Sequence, residues 1–303
     1  MRDNLRDYAR LGLVHHMLYP RSLEDPDDHV LTLEALIQRE DIETFDCCLP
    51  YGETQQARLI PRIRNSGKTA IAYATHLFPL RKIPFTTPFP QRQAQARAIV
   101  ADMVRQAAAI GATGFIFASG GPPPPEATAA HQAAFADFCR WLCRQLQPHG
   151  ITAMLEPFDT TIDKRFLYGP THECVRLLES LRPDVDNFGI ELDVAHVPLM
   201  GETFAQAIHT TAPYLRRVHL GNCVLRDKQH PRYGDTHPPI GYEAGEIDVP
   251  ELVEILRLLR EIGFLNKERR GDLILEVTPW PGKTEEETVA DNWQRLDEAW
   301  GQV

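Results

Sequence analysis

The sequence lacks the features by which membrane-spanning and nucleic-acid-binding proteins are recognised. No apolar run approaches the ~20 residues that cross a bilayer. No dense run of lysine and arginine occurs either, and the closest, RDKQHPR at 226–232, is explained by an exposed loop. The formal net charge of −10 disfavours nucleic acids and anionic membranes as partners. What remains is an ordinary globular composition, 43% hydrophobic and 24% charged over 303 residues.

Cysteine is scarce, and its spacing is not that of a zinc-ligand framework. The six cysteines include the neighbours Cys47 and Cys48 and a pair one helical turn apart, Cys139 and Cys143. Buried, reduced thiols are the ordinary interpretation of such a pattern. The segment MRDNLRDYARLG at 1–12 is charged and has no apolar stretch of the kind found in secretory signals. We therefore expect a reduced, cytoplasmic protein.

Short apolar and β-branched runs alternate along the chain with longer amphipathic runs. The short runs predict strands at 12–17, 43–49, 69–76, 113–119, 151–158, 188–195, 216–222 and 272–277. Helical spacing is clearest at 92–112, 131–146, 248–263 and 284–300, and the last two open with capping-box spacings.

Eight strands in strict alternation with eight helices are typical of a parallel sheet with right-handed crossovers. In a chain of 303 residues the count predicts an α/β fold, a single (β/α)8 TIM barrel spanning 1–303 as one domain. A doubly wound open sheet is the alternative. It is disfavoured because no glycine-rich phosphate loop follows the first predicted strand.

Polar residues stand where four consecutive strands end, which is where such barrels carry their chemistry. The fifth to eighth strands deliver Glu156, Asp193, His219 and Glu276. A single carboxylate at a strand end is more often a helix cap or a salt-bridge partner. Three carboxylates in one mouth, however, would repel each other and resist desolvation, and a divalent cation resolves both problems. Three carboxylates with one imidazole favour Mn²⁺, with Mg²⁺ or Co²⁺ as alternatives, over a structural zinc.

Five residues at this mouth are candidates for the general base or acid: Glu156, Glu276, His196, His15 and His16. His196 is also a candidate for substrate contact, with an ordinary loop histidine as the alternative. His15 and His16 end the first predicted strand. Because side chains alternate along a strand, only one of the two can face the mouth.

A long segment at 223–247, rich in proline, glycine and histidine, lies at the same face of the predicted barrel. It contributes Arg226, Asp235 and His237 as candidate substrate-binding residues. A segment of this length is usually functional or disordered, and a plain surface loop is the alternative.

Strand parity makes a prediction about the layer beneath the metal site. If Asp193 and His219 point inward, Glu191 and Arg217 do so as well, two residues earlier on neighbouring strands. An unpaired charge inside the barrel would be costly, so we expect these two side chains to pair.

The set of Glu156, Asp193, His219 and Glu276 resembles the ligand pattern of the xylose-isomerase-like TIM barrels, which include sugar isomerases and ketose 3-epimerases. The Asp-x-x-His spacing of 193 and 196 also occurs in the epimerases. The resemblance implies that this histidine touches substrate and that the two glutamates act as acid and base on opposite faces of an enediolate.

A narrower set of segments is similar to the catalytic subunits of bacterial C-glycoside deglycosidases. The segments include GLVHHMLYP at 12–20, EPFDTTIDKR at 156–165, ELDVAHVPL at 191–199 and HPRYGDTHPPIG at 230–241. This resemblance implies metal-assisted elimination of a C-linked aglycone from a 3-oxo-glucosyl compound, and a small second subunit. A metal-dependent sugar isomerase or ketose 3-epimerase is the alternative function.

Two other classes of protein fit the sequence less well. A DNA-repair endonuclease on the same barrel needs a multi-zinc cluster with extra histidines and a basic face, and TGFIFAS at 113–119 offers no histidine. A non-catalytic sugar-binding barrel would be expected to lose metal ligands, and all four are present.

Overall fold

A computed structural model describes residues 3–77, 86–121 and 125–303. Eight parallel strands close into a barrel in sequence order, with the last strand paired to the first. They are β1 Ala9–Val14, β2 Thr44–Cys47, β3 Thr69–Tyr73, β4 Gly114–Phe117, β5 Thr152–Leu155, β6 Phe188–Asp193, β7 Leu215–Leu220 and β8 Gly271–Leu275. The predicted (β/α)8 TIM barrel is confirmed, and the open sheet is wrong.

Within the described residues, one helix of at least eight residues follows each strand. They are α1 Pro26–Gln38, α2 Glu53–Arg64, α3 Pro90–Ile110, α4 Thr128–Leu146, α5 Thr171–Leu181, α6 Phe204–Thr211, α7 Val249–Glu261 and α8 Glu285–Trp300. The capping boxes expected before α7 and α8 are present, from Asp248 with Glu251 and from Thr284 with Glu287. Across these described segments, no helix combines the length and apolarity that a membrane crossing requires.

Each strand ends two or three residues earlier than its apolar run predicts, and the remaining residues of the run continue into the loop at the mouth. The assignment of His15 and His16 to the end of β1 is therefore wrong. They begin a short helical turn, His15–Leu18, closed by the Tyr19 N–H donating to the His15 carbonyl oxygen at 2.9 Å.

The barrel interior is divided between an apolar side and a charged side. Ile71, Ile116 and Met154, from β3, β4 and β5, pack together inside the barrel. A side chain at Gly114 would meet the Met154 methyl group at 2.2 Å, so glycine is required there for the close packing. Charged side chains of β2, β6, β7 and β8 fill the other side.

Arg217 lies fully buried in this charged half, and its predicted pairing with Glu191 is wrong. Its Nη2 lies 2.5 Å from Asp46 Oδ1, and its Nη1 lies 2.6 Å from Asp272 Oδ2. Nη2 also donates to Thr44 Oγ1 at 2.9 Å. A guanidinium carries five donors, and two carboxylates with a hydroxyl satisfy more of them than one glutamate would.

Candidate active site

Three carboxylates meet at the C-terminal mouth of the barrel. Glu156, Asp193 and Glu276 each offer an oxygen atom, all within 4.8 Å of one another, and each residue is at most 2% exposed. Asp193 is the last residue of β6, whereas Glu156 and Glu276 come directly after β5 and β8. The backbone N–H groups of these glutamates still donate to the neighbouring strands, at 2.9 and 3.1 Å, so the sheet fixes their position.

The fourth predicted ligand, His219 on β7, lies against the same group. Its Nδ1 is 2.5 Å from Glu276 Oε2 and 3.5 Å from Glu191 Oε1. Glu191 also accepts the His219 backbone N–H at 3.2 Å, and it offers an oxygen atom within 4.8 Å of donor atoms of Glu156 and His219. The structure thus brings all four sequence-predicted ligands together and adds Glu191, inward-facing as parity predicted.

Burial and mutual repulsion make it difficult for all these carboxylates to ionise together. Burial raises the pKa of Glu156 to about 7 and also raises the pKa values of Asp193 and Glu191. Burial acts in the same direction on Glu276, but the nearby imidazoles of His219, His237 and His196 together outweigh it and lower the Glu276 pKa to about 2. The protein's own cations therefore balance only part of the charge.

These residues fit a divalent cation. Among the described residues, Glu191 Oε2 accepts no hydrogen bond, and neither does Asp193 Oδ2, which has an ion-pair contact with His196 Nε2 at 3.3 Å. A buried carboxylate oxygen left unpaired is costly, and coordination to a cation removes that cost. The oxygen-rich donor set with one imidazole is suited to Mn²⁺, Mg²⁺ or Co²⁺.

A second group of donor atoms adjoins the first and shares Asp193 with it: Asp193, His196, Asp235 and His237. The Nδ1 atoms of His196 and His237 lie 2.9 and 3.0 Å from backbone carbonyl oxygens, so each Nε2 faces the carboxylates. His237 Nε2 is 2.8 Å from Asp235 Oδ1, and His196 Nε2 is 3.3 Å from Asp193 Oδ2. This group can hold a cation, or ion pairs with protonated imidazoles.

The 223–247 segment reaches the mouth because it is anchored to the barrel. Fully buried Asn222 accepts the N–H groups of Cys223, Glu246 and Ile247 at 2.9–3.0 Å and donates to the Pro239 and Ile247 carbonyl oxygens. The segment is therefore not a plain surface loop.

A lysine from the loop after β5 fixes the part of the segment that carries the second group. Lys164 Nζ lies 2.9 Å from the Asp235 carbonyl oxygen and 3.1 Å from Asp235 Oδ2. Asp235 and His237 are buried, at 8% and 5% exposure. The segment's third candidate, Arg226, instead has 64% of its side chain exposed and lies 3.4 Å from Glu246.

His15 and His16 face opposite ways, so only His16 lies at the mouth. His15 Nε2 lies 2.9 Å from Thr32 Oγ1 of α1. The His16 ring stacks on His76 at 3.9 Å and lies 4.9 Å from the Tyr73 ring. Burial lowers the pKa values of both His15 and His16 well below the ordinary value, so both are neutral.

Three further residues at the mouth were not predicted: Tyr73, Thr75 and Asp46. The Tyr73 hydroxyl lies 3.2 Å from Glu276 Oε1 and 3.3 Å from Glu156 Oε2, and Thr75 Oγ1 donates to Glu156 at 2.6 Å. Asp46 Oδ2 lies 2.7 Å from His219 Nε2. The strand-end rule would have found them, since all three stand at the ends of β2 and β3.

Comparison with known proteins places the chain in a family. Residues 40–297 match the model of the xylose isomerase-like TIM barrel, and the chain belongs to that family. A curated relative, 2-oxo-tetronate isomerase from Pectobacterium atrosepticum, is 23% identical over 179 residues. That match covers 59% of this chain and 63% of the isomerase's own length.

Solved structures with the same fold include two sugar epimerases. D-psicose 3-epimerase from Clostridium cellulolyticum H10 is 15% identical over 96% of this chain and 98% of its own, with a TM-score of 0.67. The 3-keto-D-glucoside 4-epimerase from E. coli is 14% identical over 96% of this chain and 99% of its own, also with a TM-score of 0.67. The IOLI protein, solved with a zinc atom, is 13% identical over 97% of this chain and 98% of its own, with a TM-score of 0.72. At these identities the likeness shows the fold alone.

Proposed function

We propose that the chain is a divalent-metal-dependent carbohydrate enzyme that enolises a 3-oxo-glucosyl substrate and cleaves its C-glycosidic bond by elimination. The observation that carries the proposal is the convergence of Glu156, Asp193, His219 and Glu276 at the barrel mouth. The resemblance of several segments to C-glycoside deglycosidase catalytic subunits supports the lyase chemistry. The name of one fold neighbour, a 3-keto-D-glucoside epimerase, supports the substrate class.

Glu156, Asp193, His219 and Glu276 would hold the cation, and Mn²⁺ is the best match to their mostly hard donor atoms. A divalent cation at this position supplies charge withdrawal from a substrate oxygen, which stabilises an enediolate.

The side chains at the mouth have separate parts in the proposed reaction. Glu156 or Glu276 takes the proton from sugar carbon 2, next to the 3-oxo group, and the bond's electrons form an enediolate. The enediolate then re-forms the carbonyl, a double bond forms between carbons 1 and 2, and the bond from carbon 1 to the aglycone breaks. The departing aglycone carbon takes up a proton. The products are the protonated aglycone and an unsaturated 3-oxo sugar, with no net oxidation.

The second group of donor atoms has the position and chemistry to bind the sugar. His196 lies beside Asp193, and the 223–247 segment brings Asp235 and His237 to the same group. We assign them to substrate hydroxyls or to proton delivery to the aglycone. Of the two neighbouring histidines near β1, His16 is the candidate at the mouth. The Arg226 side chain is exposed, so the remaining role for it is contact with a bulky aglycone.

A sugar isomerase or ketose 3-epimerase is the second candidate function. The observation in its favour is the Tyr73 hydroxyl, which lies within 3.4 Å of oxygen atoms of both Glu156 and Glu276. Two linked carboxyl groups suit an enzyme that removes a proton with one and returns it with the other. The enediolate is the same, but it is reprotonated instead of expelling a group. The relatives named as isomerases and epimerases support this reading.

One incubation separates the two candidates. The chain is incubated in D₂O with Mn²⁺ and the 3-oxo-glucosyl C-glycoside of a flavonoid, and the products are analysed by liquid chromatography and mass spectrometry. We expect release of the free aglycone. Deuterium in the intact sugar without release would favour the isomerase or epimerase. A co-expressed small second subunit, which the deglycosidase resemblance implies, is tested in parallel. Neither release nor deuterium uptake with metal bound would contradict the substrate class.

A further inference from the structure

We propose that Asp46 is a positioning residue that fixes the tautomer of His219 and thereby prepares its Nδ1 atom for a divalent cation. The inference rests on the proposed function, because it takes His219 to be a ligand.

The two nitrogen atoms of the His219 ring face different surroundings. Nδ1 points to the carboxylate group, 2.5 Å from Glu276 Oε2. Nε2 points away from it, 2.7 Å from Asp46 Oδ2. A neutral imidazole carries one proton, and ligation through Nδ1 requires that the proton be on Nε2. An acceptor beside Nε2 therefore decides whether Nδ1 presents a lone pair or a hydrogen to the cation site.

Asp46 is itself held as an acceptor. It is fully buried on β2, and Arg217 approaches it with two nitrogen atoms, Nη2 to Oδ1 at 2.5 Å and Nε to Oδ2 at 3.1 Å. A guanidinium has only donors, so both oxygen atoms of Asp46 are held in place as acceptors. Asp46 Oδ2 is shared between Arg217 and His219. The His219 ring is thus held, through one carboxylate, by a buried guanidinium.

Replacement of Asp46 by asparagine reverses the chemistry at Nε2 while the volume stays nearly unchanged. Arg217 offers only hydrogen atoms, so the amide oxygen turns to Arg217. The amide NH₂ then turns to His219 and donates to Nε2. The ring proton moves to Nδ1, where it blocks ligation. Wrong-tautomer stabilisation of this kind follows from the donor and acceptor inventory alone.

Asp272 provides the matched control, because it pairs with the same arginine but not with the histidine. Asp272 Oδ2 lies 2.6 Å from Arg217 Nη1 and Asp272 Oδ1 lies 2.6 Å from Arg10 Nε. Asp272→Asn therefore weakens the buried ion pair much as Asp46→Asn does and leaves Nε2 of His219 with its acceptor. A merely structural role for Asp46 predicts equal effects of the two substitutions on metal binding.

The test is Mn²⁺ binding to the metal-free full chain, with free Mn²⁺ read by electron paramagnetic resonance. We expect Asp46→Asn to weaken Mn²⁺ binding by about 10- to 100-fold, the usual effect of losing an outer partner of a ligating histidine. We expect Asp272→Asn to bind within a factor of about 2 of the wild type. In zinc-loaded, ¹⁵N-histidine-labelled protein, His219 should carry its proton on Nε2.

The outcomes separate this inference from the function on which it rests. If the wild type binds no Mn²⁺, the proposed function fails. If the wild type binds and Asp46→Asn binds equally well, or Asp272→Asn loses as much affinity, the positioning role fails and the metal site stands. Should Asp46→Asn not fold, Asp46→Glu keeps the charge beside Arg217 but displaces the oxygen from Nε2. Undiminished Mn²⁺ affinity in that variant also overturns the inference.

Discussion

Two layers of charged side chains fill one half of the barrel interior, and they differ in how their charges are balanced. In the lower layer, the Arg217 guanidinium meets the carboxylates of Asp46 and Asp272 at 2.5 and 2.6 Å. In the upper layer, at the mouth, acids crowd together. One oxygen atom of Asp193 accepts no hydrogen bond there from the described residues, and the same holds for one of Glu191, whose side chain extends from the level of Arg217 to His219.

This difference in charge balance indicates that the two layers have different roles. The lower layer contains its own cation and its own acceptors, so its charges are compensated by the fold itself. The upper layer costs the fold stability until something from outside supplies positive charge. The same barrel therefore carries a structural set of charges directly beneath a set that is arranged for a ligand. Asp46 belongs to both, since it contacts Arg217 below and His219 above.

The largest effect is expected from breaking the lower layer. Arg217→Met leaves buried Asp46 without its guanidinium and leaves Asp272 with Arg10 alone, and we expect the free energy of unfolding to fall by about 3–5 kcal/mol. Urea denaturation measures this. The control is Arg216→Met on the same strand, whose side chain is exposed, with an expected change within about 0.5 kcal/mol. Equal stability of the two variants would contradict the structural role of the lower layer.

A substitution in the upper layer should preserve or raise the stability of the metal-free protein and weaken metal binding. Asp193→Asn removes one of the crowded charges, so we expect the metal-free protein to be as stable as the wild type or more stable. Mn²⁺ affinity should fall by at least about 100-fold, since even outer partners of ligands are worth 10- to 100-fold. Calorimetric titration and urea denaturation on the same sample measure both. Unchanged Mn²⁺ affinity would remove Asp193 from the site.

The smallest effect concerns the anchoring of the segment that covers the upper layer. Asn222→Ala leaves buried backbone groups without partners, so we expect a loss of about 1–3 kcal/mol in the free energy of unfolding. We also expect faster proteolytic cleavage within 223–247. Gln229→Ala, exposed in the same segment, serves as the control and should change neither. Cleavage at the wild-type rate in Asn222→Ala would show that the segment is held by other contacts.

Much of this architecture could be predicted from the sequence. The alternation of strand and helix runs identified the barrel, and the polar strand ends identified the four residues that the mouth brings together. Both are local patterns, repeated many times along the chain, so errors of two or three residues at strand ends did not alter the topology. These errors did affect the placement of His15 and His16, because whether a residue ends a strand or begins a turn decides where its side chain points.

The partner of Arg217 could not be predicted in the same way. Asp46 stands on β2, far from β7 in sequence. Asp272 stands on β8, which comes next to β7 only through their pairing in the closed barrel. Which of three inward carboxylates a long side chain reaches depends on the shape of the closed interior. Tyr73 and Asp46, by contrast, were within reach of the strand-end rule and were missed because the ends of the second and third strands were not considered.

If the upper layer is a divalent cation site, the metal content of the purified chain should show it. The purified chain is stripped with a chelator, reloaded with Mn²⁺, passed over a desalting column and analysed by elemental mass spectrometry, alongside His219→Ala and Asp193→Asn. We expect the wild type to retain at least one Mn²⁺ ion per chain and both variants to lose it. A folded wild-type chain that retains no Mn²⁺, Mg²⁺, Co²⁺ or Zn²⁺ would contradict it.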